Sequence, residues 1–255
     1  MKIGLTEASQ VTYFANVVKL LGTINEEMTL DVGPEGISVI SMDPSHVAMI
    51  DLNLKNSAFG EYEVEEAFKL SFDIGELKKR LDAIEAKKEL VNIRHDIPNS
   101  KLVLEVKDPE TKRRREMSIK LLDPLDEEVP KPKIQFNGNI RILLDDIDRA
   151  IKDAQMVSEH ISIYAKPEKI LSFIGTGDLG DSLLEINDPL SFKINSDDEL
   201  RATYTIKYLA DYVNAIKPFT PVLTMEMSTD MPVKFTIDSP QNLDCDFYLA
   251  PCIGV

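Results

Sequence analysis

The chain has 255 residues, 43% of them hydrophobic, which suffices for one large or two ordinary globular domains and excludes a disordered tail. Its 44 acidic and 29 basic side chains leave a net charge of −15, which excludes a protein that coats nucleic acid by charge alone unless its cations are segregated onto one face. No run of about 18 apolar residues is present to span a bilayer, and MKIGLTEASQ lacks the layout of a secretion signal, so a soluble intracellular protein is expected, with Cys245 and Cys252 reduced and structural.

In chain order, apolar residues at three and four spacing predict a first helix, EASQVTYFANVVKLLGTI at 7–24. Alternating patterns then predict strands in MTLDVG, GISVISM and HVAMIDLNL. Within this region SMDPSHVAMIDL, 41–52, sets Asp43, Ser45 and His46 almost side by side, the residue types of nucleophilic catalysis. Catalytic triads are assembled from distant parts of a chain, whereas short polar side chains beside a proline suit a turn that bonds its own backbone. The turn is therefore the expectation. A second helix near 74–86 and strands LVNIRH, KLVLEVKD and RREMSIKLL complete the first half. LLDPLDEEVPKPKIQF, 121–136, carries three prolines and four acidic residues, and proline removes donors and restricts its predecessor, so an extended connector is expected there. A helix at 143–157, strands ISIYAK, KILSFIG and DSLLEIN, a helix near 206–216 and strands VLTMEMS, VKFTID and DCDFYLA make the second half.

The halves share a pattern. SFDIGELKKRLDAI (71–84) aligns without a gap on TYTIKYLADYVNAI (203–216), matching Phe72 with Tyr204, Ile74 with Ile206, Leu77 with Leu209, Ala83 with Ala215 and Ile84 with Ile216. GPEGISVI (33–40) corresponds to KPEKILSF (166–173) at nearly the same offset, and shared order and spacing favour duplication over chance similarity of amphipathic helices. Antiparallel strands with two helices per half give an α+β fold without the strict strand–helix alternation of a parallel sheet. The expected organisation is a domain at 1–120, a connector at 121–134 and a second domain at 135–255.

Basic residues recur on the helices: Lys19 on the first, Lys78, Lys79 and Arg80 on the second, Arg149 and Lys152 on the third, Lys207 on the fourth with Lys217 beyond its end. Asp82, Glu85, Asp145, Asp146 and Asp148 share these helices, so an ordinary solvated face competes with a phosphate-facing belt. If the helices line one concave side, the cations would hold a duplex through its phosphates without reading its sequence.

SMDPSHVAMIDLNL, the proline-broken acidic connector and the terminal YLAP (248–251) resemble, in that order and spacing, sliding clamps of the proliferating cell nuclear antigen family. The resemblance covers essentially the whole chain, and the DPS and DLNL wording with the CIGV ending is closer to archaeal members. It implies the DNA clamp fold: three subunits of two similar domains closed into a ring around duplex DNA, with helices inside, antiparallel sheets outside, and docked polymerases and other enzymes. The family's inner-face cations fall on Lys19, Lys79, Arg149 and Lys207, while Asp82 and Asn214 stand where relatives often carry further basic residues.

Alternation in HVAMIDLNL puts Ala48, Ile50, Leu52 and Leu54 on a core face and Val47, Met49, Asp51 and Asn53 on the other. NLDCDFYLA repeats this, with Leu243, Cys245, Phe247 and Leu249 inward and Asp244, Asp246, Tyr248 and Ala250 outward. Both outward faces turn apolar at one end, which reads either as isolated surface hydrophobes or, with Leu125 and Val129 of the connector, as one interaction patch. The resemblance implies the patch, a pocket for a short partner motif with a glutamine and aromatic anchors, lined by Met42, His46, Val47, Met49, Leu125, Val129, Pro232, Tyr248, Ala250 and Pro251. Methionine suits such use because its thioether adapts to differing partners.

RRREMSIKLL is a basic-led strand and GDLGDSLLEI an acidic one. The resemblance implies that these edges pair between neighbouring subunits, with Arg113, Arg114 or Arg115 meeting Asp145, Asp148, Asp178 or Asp181, a head-to-tail contact that closes a ring.

An enzyme is the rival class. His46, His95 and His160 show no metal-ligand spacing, no phosphate-binding or dinucleotide glycine motif occurs, and scattered carboxylates are weak grounds for acid–base or two-metal chemistry. No catalytic residue, metal or cofactor is expected. The resemblance implies as partners duplex DNA, DNA polymerase, a clamp loader, a flap nuclease, DNA ligase and further copies of the chain, with no membrane. It places the protein in the cytoplasm or nucleoid of an archaeon, or the nucleus of a eukaryote. A subunit of a heterotrimeric or checkpoint clamp, and a scaffold that docks proteins without DNA, remain the alternatives.

Overall fold

The computed structural model describes residues 1–254 apart from 125–128, 197 and 238–241. They form two compact units, Met1–Met42 with Ile50–Val129 and Pro240–Asp244, and Asp43–Met49 with Pro130–Ser239 and Cys245–Val255. The first half of the chain runs β1 (Lys2–Leu5), α1 (Ala8–Leu21), β2 (Glu27–Gly33), β3 (Gly36–Met42), β4 (Ala48–Lys55), β5 (Glu61–Glu63), β6 (Phe68–Asp73), α2 (Ile74–Asp82), β7 (Leu90–Asp96), β8 (Lys101–Lys107) and β9 (Arg114–Lys120). The second half repeats it element for element: β10 (Gly138–Leu143), α3 (Leu144–Gln155), β11 (His160–Lys166), β12 (Ile170–Gly177), β13 (Gly180–Ile186), β14 (Ser191–Ile194), β15 (Leu200–Thr205), α4 (Ile206–Ile216), β16 (Val222–Met227), β17 (Val233–Ile237) and β18 (Leu243–Leu249).

Strand order repeats as well. The succession β5-β1-β7-β8-β9 in the first half recurs as β14-β10-β16-β17-β18 in the second, and β4-β3-β2-β6 recurs as β13-β12-β11-β15. Neighbouring strands pair antiparallel, for example Ile3 opposite Ile93 and Ile140 opposite Met225. An α+β fold of two like halves is thus what the chain adopts, and identical order in both sheets is the mark of an internal duplication.

Each helix is held by an apolar stripe. On α1 that stripe is Val11, Phe14, Val18 and Leu21, all buried; on α4 it is Ile206, Leu209, Val213 and Ile216. Both helices pack against their partner in the same half, α1 on α2 and α3 on α4. Entry to α2 is fixed by Asp73, whose carboxylate accepts the Glu76 amide at 3.0 Å. Entry to α1 is fixed by Gln10, whose side chain takes the Thr6 and Glu7 amides at 2.8 and 3.2 Å.

Helix ends depart from expectation where a side chain takes a terminal carbonyl. The first helix stops at Leu21 because the Thr23 hydroxyl caps the Leu20 carbonyl at 2.7 Å. The second stops at Asp82, not near 86, because the Ala83 carbonyl is taken by the Arg115 guanidinium at 2.7 Å. Six strands were not expected: β1, β5, β6, β10, β14 and β15. Four of them precede a helix and the other two, β5 and β14, lie at a sheet end, where a short extended run is easily read as part of its neighbour.

Candidate nucleic-acid and partner interfaces

The turn between β3 and β4 is built on Asp43, which is only 4% exposed. One carboxylate oxygen accepts the Val47 and Ala48 amides at 2.7 and 2.6 Å; the other accepts the Ser45 amide at 3.0 Å and the Tyr208 hydroxyl of α4 at 2.9 Å. Burial pushes this carboxyl upward, but the Ala48 amide, the Tyr208 hydroxyl and the Val47 and Ser45 amides outweigh it and hold the group below its ordinary value. Asp43 is therefore a fixed anion whose oxygens are occupied by the turn. His46 has φ 57°, the left-handed conformation that closes the turn, and its ring stands in the exposed part. The trio is a turn, as its polar residues and proline suggested; Tyr208, which completes it, carries no signal in the sequence.

The proposed docking residues divide between the two units. In the first, Met42 and Val129 line a cleft of about 130 Å³ with Leu122, Asp123 and the polar side chains of Asn25 and Thr29. In the second, the Ala250 amide donates to the Val47 carbonyl at 2.8 Å, and Tyr248 lies opposite Lys234 in the β17/β18 pairing. Val47, Pro232, Tyr248, Ala250 and Pro251 are half-buried and His46 is exposed. Met49 is a correction: alternation put it on the solvent face, yet it is 2% exposed. Ala48, Met49 and Ile50 are buried in succession, a run that strict alternation of inward and outward side chains does not produce. Leu125 lies outside the described residues.

The helix cations fall into two kinds. Lys19, Lys78, Arg149 and Lys207 are exposed, and among the described residues none of them forms an ion pair. The others are engaged within their own unit. Lys79 pairs with Glu76 at 2.7 Å, and Lys152 and Lys217 both reach Asp148, at 2.7 and 2.8 Å. Arg80 is 26% exposed in its side chain and is committed to Glu76 at 2.6 Å and to the Ser118 carbonyl at 3.0 Å, so its guanidinium is turned to β9 and not outward to a phosphate.

Among the strands that end a sheet within the described residues are β9, at the end of β5-β1-β7-β8-β9, and β13, at the end of β13-β12-β11-β15. Beside β9 stand the exposed Arg113 and Arg114, the latter 3.7 Å from Glu105. Asp178 and Asp181 are exposed at the β12–β13 hairpin, whose tip residue Leu179 is fully solvent-accessible; Leu183 on β13 is 61% exposed. Asp145 is exposed on the first turn of α3. Two residues expected at a subunit contact are already spent at home: Arg115 on Ala83 and on Glu89 at 2.7 Å, and Asp148 on its two lysines. Burial raises the Asp148 carboxyl, and the Lys152 and Lys217 ammonium groups more than reverse this, keeping it charged.

Among the described residues no group of His, Cys, Asp and Glu is placed to hold a metal ion, and no helix is long and apolar enough to cross a membrane. Residues 5–129 match the family model for the N-terminal domain of proliferating cell nuclear antigen and residues 131–252 the model for its C-terminal domain. A protein of Pyrococcus horikoshii named DNA polymerase sliding clamp is 31% identical over 239 residues, covering 93% of this chain and 94% of that protein. One of the same name from Nitrosopumilus maritimus is 30% identical over 237 residues, 92% of each. In structure, the proliferating cell nuclear antigen of Thermococcus kodakaraensis superposes with a TM-score of 0.86 at 22% identity, over 98% of this chain and 99% of that one. A chain of the PCNA2–PCNA3 complex of Sulfolobus tokodaii superposes at 0.82 with 20% identity, over 98% and 99%.

Proposed function

The chain belongs to the proliferating cell nuclear antigen family, and from that premise we infer that it works as a DNA polymerase sliding clamp, a ring of three copies that encloses duplex DNA and tethers enzymes to it. The observation that carries this reading is the repeat of helix pairs presenting unpaired cations: Lys19 and Lys78 in the first half, Arg149 and Lys207 in the second. Exposed, uncompensated lysines and arginines on rigid helices attract phosphates without favouring any register, so a clamp can slide. Lys79 and Lys152 add to this set when phosphates compete with their carboxylate partners. Water and salt screen surface ion pairs of this kind, so they exchange readily.

The docking surface takes polymerase, flap nuclease, DNA ligase and other proteins through a short motif with a glutamine and aromatic anchors. Its lining comprises Met42 and Val129 in the first unit and His46, Val47, Pro232, Tyr248, Ala250 and Pro251 in the second, and Asp43 fixes the turn that carries His46 and Val47. Domains at 1–120 and 135–255 flank the connector at 121–134. Ring closure joins the β9 edge of one copy to the β13 edge of the next, with Arg113 and Arg114 facing Asp178 and Asp181. The clamp does no chemistry of its own; opening the ring falls to a loader that hydrolyses ATP, and the protein works where the genome is, in the cytoplasm or nucleoid.

Lys19→Glu combined with Lys207→Glu tests the division of surfaces. Retention on closed circular DNA should fall at least several-fold while capture of a docking-motif peptide stays unchanged, and simultaneous loss of both would contradict it.

A further inference from the structure

The β9 edge is less open than a bare strand. Two backbone bonds flank its pairing with β8: the Asp108 amide donates to Arg113 at 3.0 Å and the Leu121 amide to Ser100 at 2.8 Å. In the register Lys107 opposite Arg114 through Lys101 opposite Lys120, both bonds fall on odd-numbered residues of the β9 segment. Antiparallel ladders alternate, so residues 113, 115, 117, 119 and 121 turn their backbone groups to β8, and Arg114, Glu116, Ser118 and Lys120 turn theirs away. Leu122 keeps the same parity: its amide points off the ladder and donates to Ser71 of β6 at 2.7 Å.

The outward groups are what a second copy would pair with, and the C-terminal end is already occupied twice. Leu122 is taken by Ser71. The Ser118 carbonyl is taken by Arg80, whose Nε sits 3.0 Å from it, where an incoming strand would place an N–H. The guanidinium is held there by the Glu76 carbonyl at 2.8 Å and the Glu76 carboxylate at 2.6 Å, so it is preorganised on α2. The occupant that fits the remaining edge is β13 of a second copy, because the exposed Lys112, Arg113 and Arg114 at this edge are opposite in charge to the exposed Asp178 and Asp181 at that one.

We propose that Arg80 is an edge stop: by holding the Ser118 carbonyl it confines pairing by a second copy's β13 to Arg114–Ser118 and so fixes the register of the joint. This rests on the ring reading above. A one-residue slip in a strand pair turns every side chain to the opposite face, so a defined end stop has a clear use where identical subunits must close at a fixed angle. It also assigns Arg80 a positioning role in self-assembly in place of a phosphate contact.

Residue-resolved amide hydrogen exchange on the full-length protein, below and above its assembly concentration, tests this. In the wild type, assembly should slow the Arg114 and Glu116 amides at least ten-fold and leave Lys120 unchanged. In Arg80→Ala the slowing should extend to Lys120. Arg80→Lys should behave as Arg80→Ala, since an ammonium lacks the planar fork needed to hold Glu76 and Ser118 together, and it preserves charge and fold if the alanine variant does not fold. Slowing at Lys120 in the wild type, or a pattern unmoved in both variants, would overturn the edge stop while leaving the ring intact. Absence of slowing anywhere in 114–120, with the protein monomeric at every concentration, would overturn the ring reading and the edge stop together.

Discussion

Asp43 gives its two oxygens to three backbone amides and one phenol, so its charge is structural. Asp43→Asn keeps the shape but turns one acceptor into a donor facing donors, and should cost about 1–3 kcal/mol. Because the folded carboxyl lies below its ordinary value of 3.8, its contribution is complete above that pH and is lost as pH falls through the depressed value. Urea midpoints of wild type and Asp43→Asn should therefore differ at pH 7 and converge at strongly acid pH. A gap that persists there would deny the ionic origin. Met49 behaves differently from its expected role: buried, it should lose about 2–5 kcal/mol on Met49→Ala, so it probes the core and not docking. Tyr248→Ala is the cleaner test, with docking-peptide affinity expected to drop at least ten-fold, by isothermal titration, while assembly is kept. Residue types and the proline made the turn legible in the sequence. Tyr208 was not legible, because it reaches Asp43 from a helix far along the chain, and Met49 was misplaced because alternation reports the pleat and not what covers each side of it.

Among the elements, α4 falls where its apolar period puts it, Ile206–Ile216, because Thr205 and Ile216 bound a clean stripe. The end of α2 was not legible: Ala83 to Lys88 is good helix-forming sequence, and the chain leaves the helix where Arg115 of β9 claims the carbonyl. The strands missed before α2 and α4, β6 and β15, were absorbed into the helix signals they introduce. At the edges, a charge swap separates attraction from shape. Arg113→Glu with Arg114→Glu should leave the protein dissociated in light scattering at low concentration, as should Asp178→Arg with Asp181→Arg, and combining all four substitutions in one chain should restore assembly. Reassembly should weaken with added salt, as expected of exposed pairs. If neither variant dissociates, ionic matching is not what joins β9 to β13.

For the whole molecule, the repeat of eleven elements in each half was visible in the sequence as two short alignments at nearly one offset, and the structure extends it to every strand and both sheet orders. The segregation of charge was only partly visible: composition gave a net −15, and which cations stand unpaired depends on Glu76 and Asp148, whose partners become plain only in three dimensions. A chain with so strong an acid excess has little reason to adhere to DNA by affinity, and enclosure is the means of holding that fits both the charge and the duplicated fold. The direct measurement is retention after loading by the cognate loader and ATP onto a nicked circular plasmid, followed by cutting the circle once. The protein should remain on the intact circle through gel filtration and be lost within minutes of linearisation. Equal retention on circle and line, or equal loss from both, would contradict enclosure.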